Sequence, residues 1–188
     1  MERLKEYNGH YCESEYEYAF IGFLEAEGWK YSSGNNIHRV TKRDVLIADD
    51  FKKFIADTNL DLTEDEVIQI YDNVRLVGAE SDFATLHKVY GWMVNGVQFT
   101  PQDELPRMIP LIDFDNWDKN IFRVVNQFTV EYTNNGQKEN RRPDVLLFVN
   151  GIPLCVIELK NPADANATIY DAWEQINIRY WRDIPHLL

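Results

Sequence analysis

The stretch RPDVLLFVNGIPLCVIELKNP, residues 142–162, decides the fold of this chain. Two apolar runs rich in branched residues, Val145 to Val149 and Leu154 to Leu159, flank the dipeptide Asn150-Gly151, a strong β-hairpin signal. Both runs are apolar at nearly every position, so both faces of these strands should be covered. The sequence therefore predicts a buried hairpin inside a larger α/β structure.

Three ionisable residues, Asp144, Glu158 and Lys160, stand at the ends of this hairpin. Desolvated charges persist only when they are paired or bound to metal, so their presence beside buried strands suggests a site. Glu158 and Lys160 lie two apart and project from the same face of an extended strand. A strict two-residue loop would turn Asp144 away from Glu158. A three-residue loop or a β-bulge would bring all three groups to one face, and we predict one of these.

Two carboxylates and a lysine on one face suit Mg²⁺ or Mn²⁺, which prefer hard oxygen ligands. Such a metal would polarise a phosphate and promote formation of hydroxide, and the lysine would orient the water or stabilise developing charge. The alternative is structural: an ion pair between Glu158 and Lys160, with Asp144 as a turn or strand cap.

The spacing of these residues resembles the PD-(D/E)xK nuclease signature. Longer stretches resemble the N-terminal nuclease domain of the type I restriction enzyme R subunit (the HsdR family): DFDNWDKNIFRVVNQFTVEY, RRPDVLLFVNGIPLCVIELKNP, AWEQI and RYWRDIPHLL. The resemblance covers about residues 10–188. It implies Mg²⁺-dependent cleavage of double-stranded DNA, a helicase motor that binds ATP elsewhere in a longer polypeptide, and methyltransferase and specificity subunits as partners.

The resemblance also assigns roles within the hairpin. Asp144, Glu158 and the backbone carbonyl of Leu159 would bind the metal, with Lys160 beside the reactive water. The family has an acidic residue on its first helix, and Glu17 matches it best by its spacing to Leu24. Glu17 has a second interpretation, because Ser14 to Glu17 has the pattern of a capping box, in which its carboxylate would bond the start of its own helix.

A third element of the resemblance is a Gln-x-x-x-Tyr motif on the helix after the lysine. Here Tyr180 stands five residues after Gln175, and Arg179 stands four after it. An ideal helix would separate Gln175 and Tyr180 by roughly 140°. One extra residue can be absorbed by a π-bulge; otherwise Arg179 takes the tyrosine position and contacts phosphate.

The charge of the chain constrains its partners. Its formal net charge is −12, so it should repel DNA at long range. Arg141 and Arg142 nevertheless lie beside the candidate site and, with Arg179, are the predicted DNA contacts. We expect the missing motor and partner subunits to supply most of the affinity. No physical role follows from the sequence for Asn126-Gln127.

We expect the whole chain of 188 residues to form one nuclease domain, with a helical insert at about residues 41–95. The fold class is α/β, a restriction-endonuclease-like mixed sheet flanked by helices. Helices are predicted from Ser14 to about Glu27, Thr41 to Asp57, Thr63 to about Val77, Ser81 or Asp82 to Met93, and Thr168 to Trp181. Strands are predicted at Gly96–Thr100, Met108–Phe114 and Phe122–Tyr132, and a polar loop at Thr133–Arg141.

Composition excludes several classes. The 45% hydrophobic content is that of a globular protein, and no apolar run approaches the ~20 residues of a membrane span. The amino terminus has no apolar signal core, and two cysteines suit a reduced, cytoplasmic protein. A P-loop is absent, so we expect a fragment of a larger enzyme. The alternatives are an inactive nuclease fold used as a docking module, and a stand-alone nuclease or junction resolvase.

Overall fold

A computed structural model describes residues 13–76, 82–160 and 168–187. The chain divides into two compact units, residues 1–37, 122–148 and 153–188 in the first and residues 38–121 and 149–152 in the second. The elements in chain order are α1 Glu13–Ala26, β1 Lys30–Ser33, α2 Ala48–Thr58, α3 Glu64–Arg75, α4 Asp82–Asn95, β2 Val97–Phe99, β3 Arg107–Ile109, β4 Phe122–Asn126, β5 Val130–Asn134, β6 Gln137–Arg141, β7 Val145–Val149, β8 Ile152–Ile157, α5 Ile169–Glu174, a π-helix Gln175–Tyr180 and α6 Trp181–Asp183.

A four-stranded mixed sheet, in the order β1-β4-β7-β8, organises the first unit. Strands β1 and β4 are parallel, with Ser33 opposite Asn126. Strands β4 and β7 run antiparallel, because hydrogen bonds join their opposite ends: Gln127 N–H donates to the Asp144 carbonyl at 3.0 Å, and Asn150 N–H to the Ile121 carbonyl at 2.9 Å. The predicted α/β class with a mixed sheet flanked by helices is therefore confirmed.

The core of the first unit lies where α1 packs on this sheet. Ile21 of α1, Val124 of β4 and Val145 of β7 are buried together. Phe128 and Phe148 are fully buried, and their ring centroids lie 5.5 Å apart. The apolar residues of α1 thus bury one helix face, which fixes the direction of the polar residues beside it.

The turn between β7 and β8 has two residues, Asn150 and Gly151, with φ of 51° and 76°. Positive φ at both positions is typical of a two-residue type I′ turn. Of the two predicted arrangements, the three-residue loop is therefore wrong, and the β-bulge stays a prediction. A side chain at Gly151 would place its Cβ 2.3 Å from the Ile47 carbonyl oxygen, so only glycine fits. Asp144 precedes β7 and Glu158 follows β8. The alternation of side chains within the paired strands therefore does not fix the direction of either carboxylate.

A second hairpin occupies the segment Thr133–Arg141 that the sequence predicted as a polar loop. Strands β5 and β6 pair antiparallel, with Thr133 opposite Lys138. Asn135 and Gly136 form the turn, with φ of 49° and 79°. The loop prediction is wrong because an Asn-Gly dipeptide specifies a hairpin turn even between exposed, polar strands.

The second unit contains α2, α3, α4 and the two-stranded sheet of β2 and β3. Its apolar core is centred on residues that include Phe51, Phe54 and Ile70. The predicted capping box at Thr63 is confirmed, since Thr63 Oγ1 accepts from Glu66 N–H at 3.3 Å and Glu66 Oε2 from Thr63 N–H at 2.8 Å. The predicted cap at Ser81 lies outside the described residues.

Other boundaries in the second unit differ from the predictions. Helix α2 begins at Ala48 rather than Thr41, because Asp44 Oδ2 accepts from Thr41 N–H at 2.8 Å and holds a turn there. The two strands are three residues each and shorter than predicted. In the part of the chain that the structure describes, no helix is long and apolar enough to span a bilayer.

Candidate active site

The carboxylate of Glu158 is the centre of the candidate site. Its side chain is 1% exposed. Gln175 Nε2 donates to Oε2 at 2.6 Å, and the Tyr180 hydroxyl donates to Oε1 at 2.5 Å. The same hydroxyl accepts from Gln175 Nε2 at 2.9 Å. Gln175 and Tyr180, the two residues predicted on the following helix, therefore both contact Glu158, the acid that follows β8.

A π-helix explains how Gln175 and Tyr180 reach one carboxylate across a five-residue spacing. It spans Gln175–Tyr180, and its wider turn brings residues five apart onto one face. The π-bulge alternative is confirmed, and the placement of Arg179 at the tyrosine position is wrong. The Arg179 guanidinium instead lies 3.9 Å from Glu174 and its side chain is 55% exposed.

Lys160 lies on the other side of Gln175. Its ammonium donates to Gln175 Oε1 and to the Leu159 carbonyl, both at 3.1 Å, and lies 3.9 Å from Glu158 Oε2. An ammonium group has three N–H donors, and contacts to the described residues use two of them, so the third can donate to a water or a phosphate oxygen. The Gln175 amide thus connects Glu158 to Lys160, since its nitrogen donates to the carboxylate and its oxygen accepts from the ammonium.

Asp144 lies against Glu158. Asp144 Oδ2 accepts from the Leu159 N–H at 2.8 Å. Burial raises the pKa of Glu158 to about 8; the hydrogen bond from Tyr180 and the charge of Lys160 oppose this, while the neighbouring Asp144 charge adds to it. Burial and the hydrogen bond to Glu158 raise the pKa of Tyr180, which stays a protonated donor. The expectation that Asp144 and Glu158 lie on the same side agrees with this proximity.

This donor set fits a divalent cation. Two carboxyl groups in contact repel one another when ionised, and a hard cation relieves that repulsion. The Leu159 carbonyl accepts from Lys160 but has a second lone pair available. Among residues 13–76, 82–160 and 168–187, no group of three or more His, Cys, Asp or Glu side chains is arranged as a metal centre. Any cation here would rely on two carboxylates, main-chain oxygen and water.

Glu17 points toward the sheet rather than to the start of its own helix. Its Oε1 accepts from Asn126 Nδ2 at 2.6 Å and its Oε2 from Gln127 Nε2 at 3.0 Å. The capping-box interpretation is therefore wrong: α1 already begins at Glu13. Burial raises the pKa of Glu13, and the charges of Asp144 and Glu17 add to this effect.

Three residues near Asp144 had no firm assignment from the sequence. Glu13 stands four residues before Glu17, and this i, i+4 spacing was the available signal for a shared helix face. Asn126 is the last residue of β4 and Gln127 follows it, beside the start of β7, so their roles required the strand order. No pattern in the sequence pairs them with a glutamate more than 100 residues away.

The predicted DNA contacts have different surroundings. Arg141 donates to Asp183 through Nε at 2.8 Å and Nη2 at 2.5 Å, and its guanidinium lies 5.0 Å from the centroid of the Tyr132 ring. This joins β6 to α6 within the first unit. Arg142 is exposed. The assignment of these arginines to DNA stays a prediction.

The mixed sheet flanked by helices, with two carboxylates and a lysine at its edge, is consistent with a nuclease-like fold. Residues 11–188 match the family model described as the type I restriction enzyme R protein N terminus. The chain belongs to this family, as its resemblance to the R subunit predicted.

Individual relatives agree with this membership. The chain is 35% identical over 181 residues to a Methanocaldococcus jannaschii protein provisionally named as the MjaIXP endonuclease subunit of a type I restriction enzyme, covering 91% of the chain. It is 30% identical over 177 residues to the type I restriction enzyme HindI endonuclease subunit of Haemophilus influenzae, covering 87% of the chain. It spans only 17% and 16% of the lengths of these relatives.

Proposed function

We propose that this chain is a metal-dependent endonuclease domain of the PD-(D/E)xK type, which hydrolyses DNA phosphodiester bonds as part of a type I restriction enzyme R subunit. One observation carries the proposal: Asp144, Glu158, Lys160, Gln175 and Tyr180 form one connected set of contacts at the edge of the sheet. Membership of the R-protein family and the names of its relatives support the same activity.

Mg²⁺ or Mn²⁺ is the proposed cofactor, held by Asp144, Glu158 and the carbonyl of Leu159. A bound divalent cation supplies Lewis-acid polarisation of a phosphate and lowers the pKa of water. Tyr180 and Gln175 hold Glu158 in one orientation, so the carboxylate need not reorganise when charge develops. Lys160, anchored by two oxygen acceptors, presents its third N–H to an attacking water or a phosphate oxygen.

The negative net charge of the chain limits its own affinity for DNA. A chain of −12 should not hold DNA by itself, so we assign most of the DNA affinity to other parts of the enzyme. ATP use belongs to a motor outside this chain, and methyltransferase and specificity subunits would select the DNA. The enzyme would act in the cytoplasm, where foreign DNA arrives.

The test is cleavage by the complete R subunit in its restriction complex. Asp144→Ala and Lys160→Ala should each abolish DNA cleavage and leave ATP hydrolysis and translocation intact, because the changes affect only this site. Lys53→Ala is a matched control, since Lys53 is a 60% exposed lysine paired with Asp57 in the second unit. Normal cleavage by either site variant would contradict the proposal.

An inactive docking module is the alternative from another class. The presence of Asp144, Glu158 and Lys160 in one contact set disfavours it, because a module without chemistry has no use for a buried carboxylate beside another carboxylate. A calorimetric titration with Mn²⁺ separates the two, because a docking module need not bind the metal.

A further inference from the structure

Glu17 is a buried carboxylate whose two oxygens each accept a hydrogen bond from an uncharged amide. The glutamate is 5% exposed, and the donors are Asn126 Nδ2 at 2.6 Å and Gln127 Nε2 at 3.0 Å. Neutral donors stabilise the ionised carboxylate but leave its net charge in place. Each oxygen also keeps a lone pair for a further donor or for the hydration shell of a cation.

The direction of the Asn126 amide is fixed by a third residue. The Tyr31 hydroxyl donates to Asn126 Oδ1 at 3.1 Å. Since the oxygen of the amide is occupied by this donor, its nitrogen faces Glu17. Tyr31 belongs to β1, the strand beside β4, so the sheet itself orients the amide.

Gln127 connects Glu17 to the main chain of the metal-binding segment. Its N–H donates to the Asp144 carbonyl at 3.0 Å, while its side chain donates to Glu17. Its φ is 55°, in the left-handed region that residues other than glycine seldom adopt. Gly34 packs against this turn so closely that an added Cβ would lie 2.6 Å from the Gln127 carbonyl oxygen and from Phe128 Cα. The backbone at Gln127 is therefore closely packed against Gly34 as well as in a rarely adopted conformation.

We propose that Asn126 and Gln127 are positioning residues. They hold the charged Glu17 carboxylate at the edge of the sheet where Asp144 lies, and Gln127 ties its position to that of the Asp144 main chain. Glu17 then adds a fixed negative charge that favours a hydrated divalent cation at Asp144 and Glu158. This inference rests on the proposed function, and it assigns that function's cation affinity in part to two amides.

The experiment is a double-mutant cycle on Mn²⁺ affinity, measured by titration calorimetry of the 188-residue chain. The variants are Gln127→Gly, Glu17→Gln and the pair together. Glycine keeps the left-handed backbone and the N–H to Asp144 and removes only the amide side chain. Asn135→Gly is the matched control, because Asn135 is an exposed residue at φ 49° in the β5–β6 turn and undergoes the same change from an amide to glycine.

Loss of a residue that orients a metal ligand typically weakens affinity about 10- to 100-fold. We expect Gln127→Gly and Glu17→Gln each to weaken Mn²⁺ binding by about that factor, and Asn135→Gly to leave it unchanged. If Gln127 acts through Glu17, adding Gln127→Gly to Glu17→Gln should cause no further loss.

Additive losses in the cycle, or a normal affinity for Gln127→Gly, would overturn the inference. Asp144→Ala separates this failure from that of the proposed function. Abolished Mn²⁺ binding in Asp144→Ala with an additive cycle overturns the positioning role alone. Unchanged Mn²⁺ binding in Asp144→Ala would contradict the proposed metal site, and with it the positioning role of Asn126 and Gln127.

Discussion

The Tyr180 hydroxyl should contribute measurably to the stability of the first unit. Tyr180 is 2% exposed and donates to the buried Glu158 carboxylate at 2.5 Å. Hydrogen bonds to charged groups contribute about 1.5–3 kcal/mol, so at about pH 9, where Glu158 is ionised, Tyr180→Phe should lower the free energy of unfolding by about 2 kcal/mol. For a chain of this size, that corresponds to a fall in Tm of roughly 4–8 °C. Thermal unfolding followed by circular dichroism measures it.

The loss of stability in Tyr180→Phe should depend on pH. The Tyr180 hydrogen bond lowers the pKa of Glu158, so it favours the ionised carboxylate. Tyr180→Phe should therefore cost more at about pH 9, where Glu158 is ionised, than at about pH 6. Arg179→Ala is the control, because Arg179 is largely exposed and its removal should change stability by less than about 0.5 kcal/mol. Equal stability of Tyr180→Phe and the parent chain at pH 9 would refute the π-helix contact.

Four further predictions follow from the same contacts. Burial raises the pKa of Glu158 from 4.5 to about 8, so without divalent cations its contribution to stability is complete below about pH 4.5 and is lost as pH rises to about 8. Glu158→Gln should reduce this fall in Tm, and an unchanged pH profile would count against the shift. Gly34→Ala should destabilise by about 1–3 kcal/mol in urea unfolding, because its Cβ would meet the Gln127 backbone 2.6 Å away. Deletion of Asn177 should be tolerated, since a one-residue π-bulge would revert to a regular helix with Gln175 and Tyr180 on one face; a large loss of Tm would contradict this. The isolated chain should bind duplex DNA no tighter than ~10⁻⁴–10⁻⁶ M, without sequence preference and with strong salt dependence, and tight selective binding in an electrophoretic assay would disprove it.

Structural elements that depend only on neighbouring residues followed directly from the amino-acid sequence. The Asn150-Gly151 turn, the capping box at Thr63 and the apolar strands of the β7–β8 hairpin follow from short-range backbone and packing preferences. The hairpin signal also predicted that Asp144 and Glu158 lie near one another, but not how they meet. The two-residue turn that the structure shows was expected to direct Asp144 away from Glu158, and both residues lie just outside the paired strands. The β5–β6 hairpin also follows from a local signal, because its turn is the dipeptide Asn135-Gly136.

Which distant side chains donate hydrogen bonds to the same carboxylate depends on the tertiary structure. Glu17 could bond its own helix start or the sheet, and only the packing of α1 on β4 places Asn126 and Gln127 within 3.0 Å of it. The choice between Tyr180 and Arg179 likewise depended on a buried acceptor, Glu158, that compensates for the poorer hydrogen-bond geometry of a π-helix. The physical reason is common to both cases. The local sequence allows two conformations or two hydrogen-bond partners, and the need of a buried polar group from a distant part of the chain for a partner favours one of them.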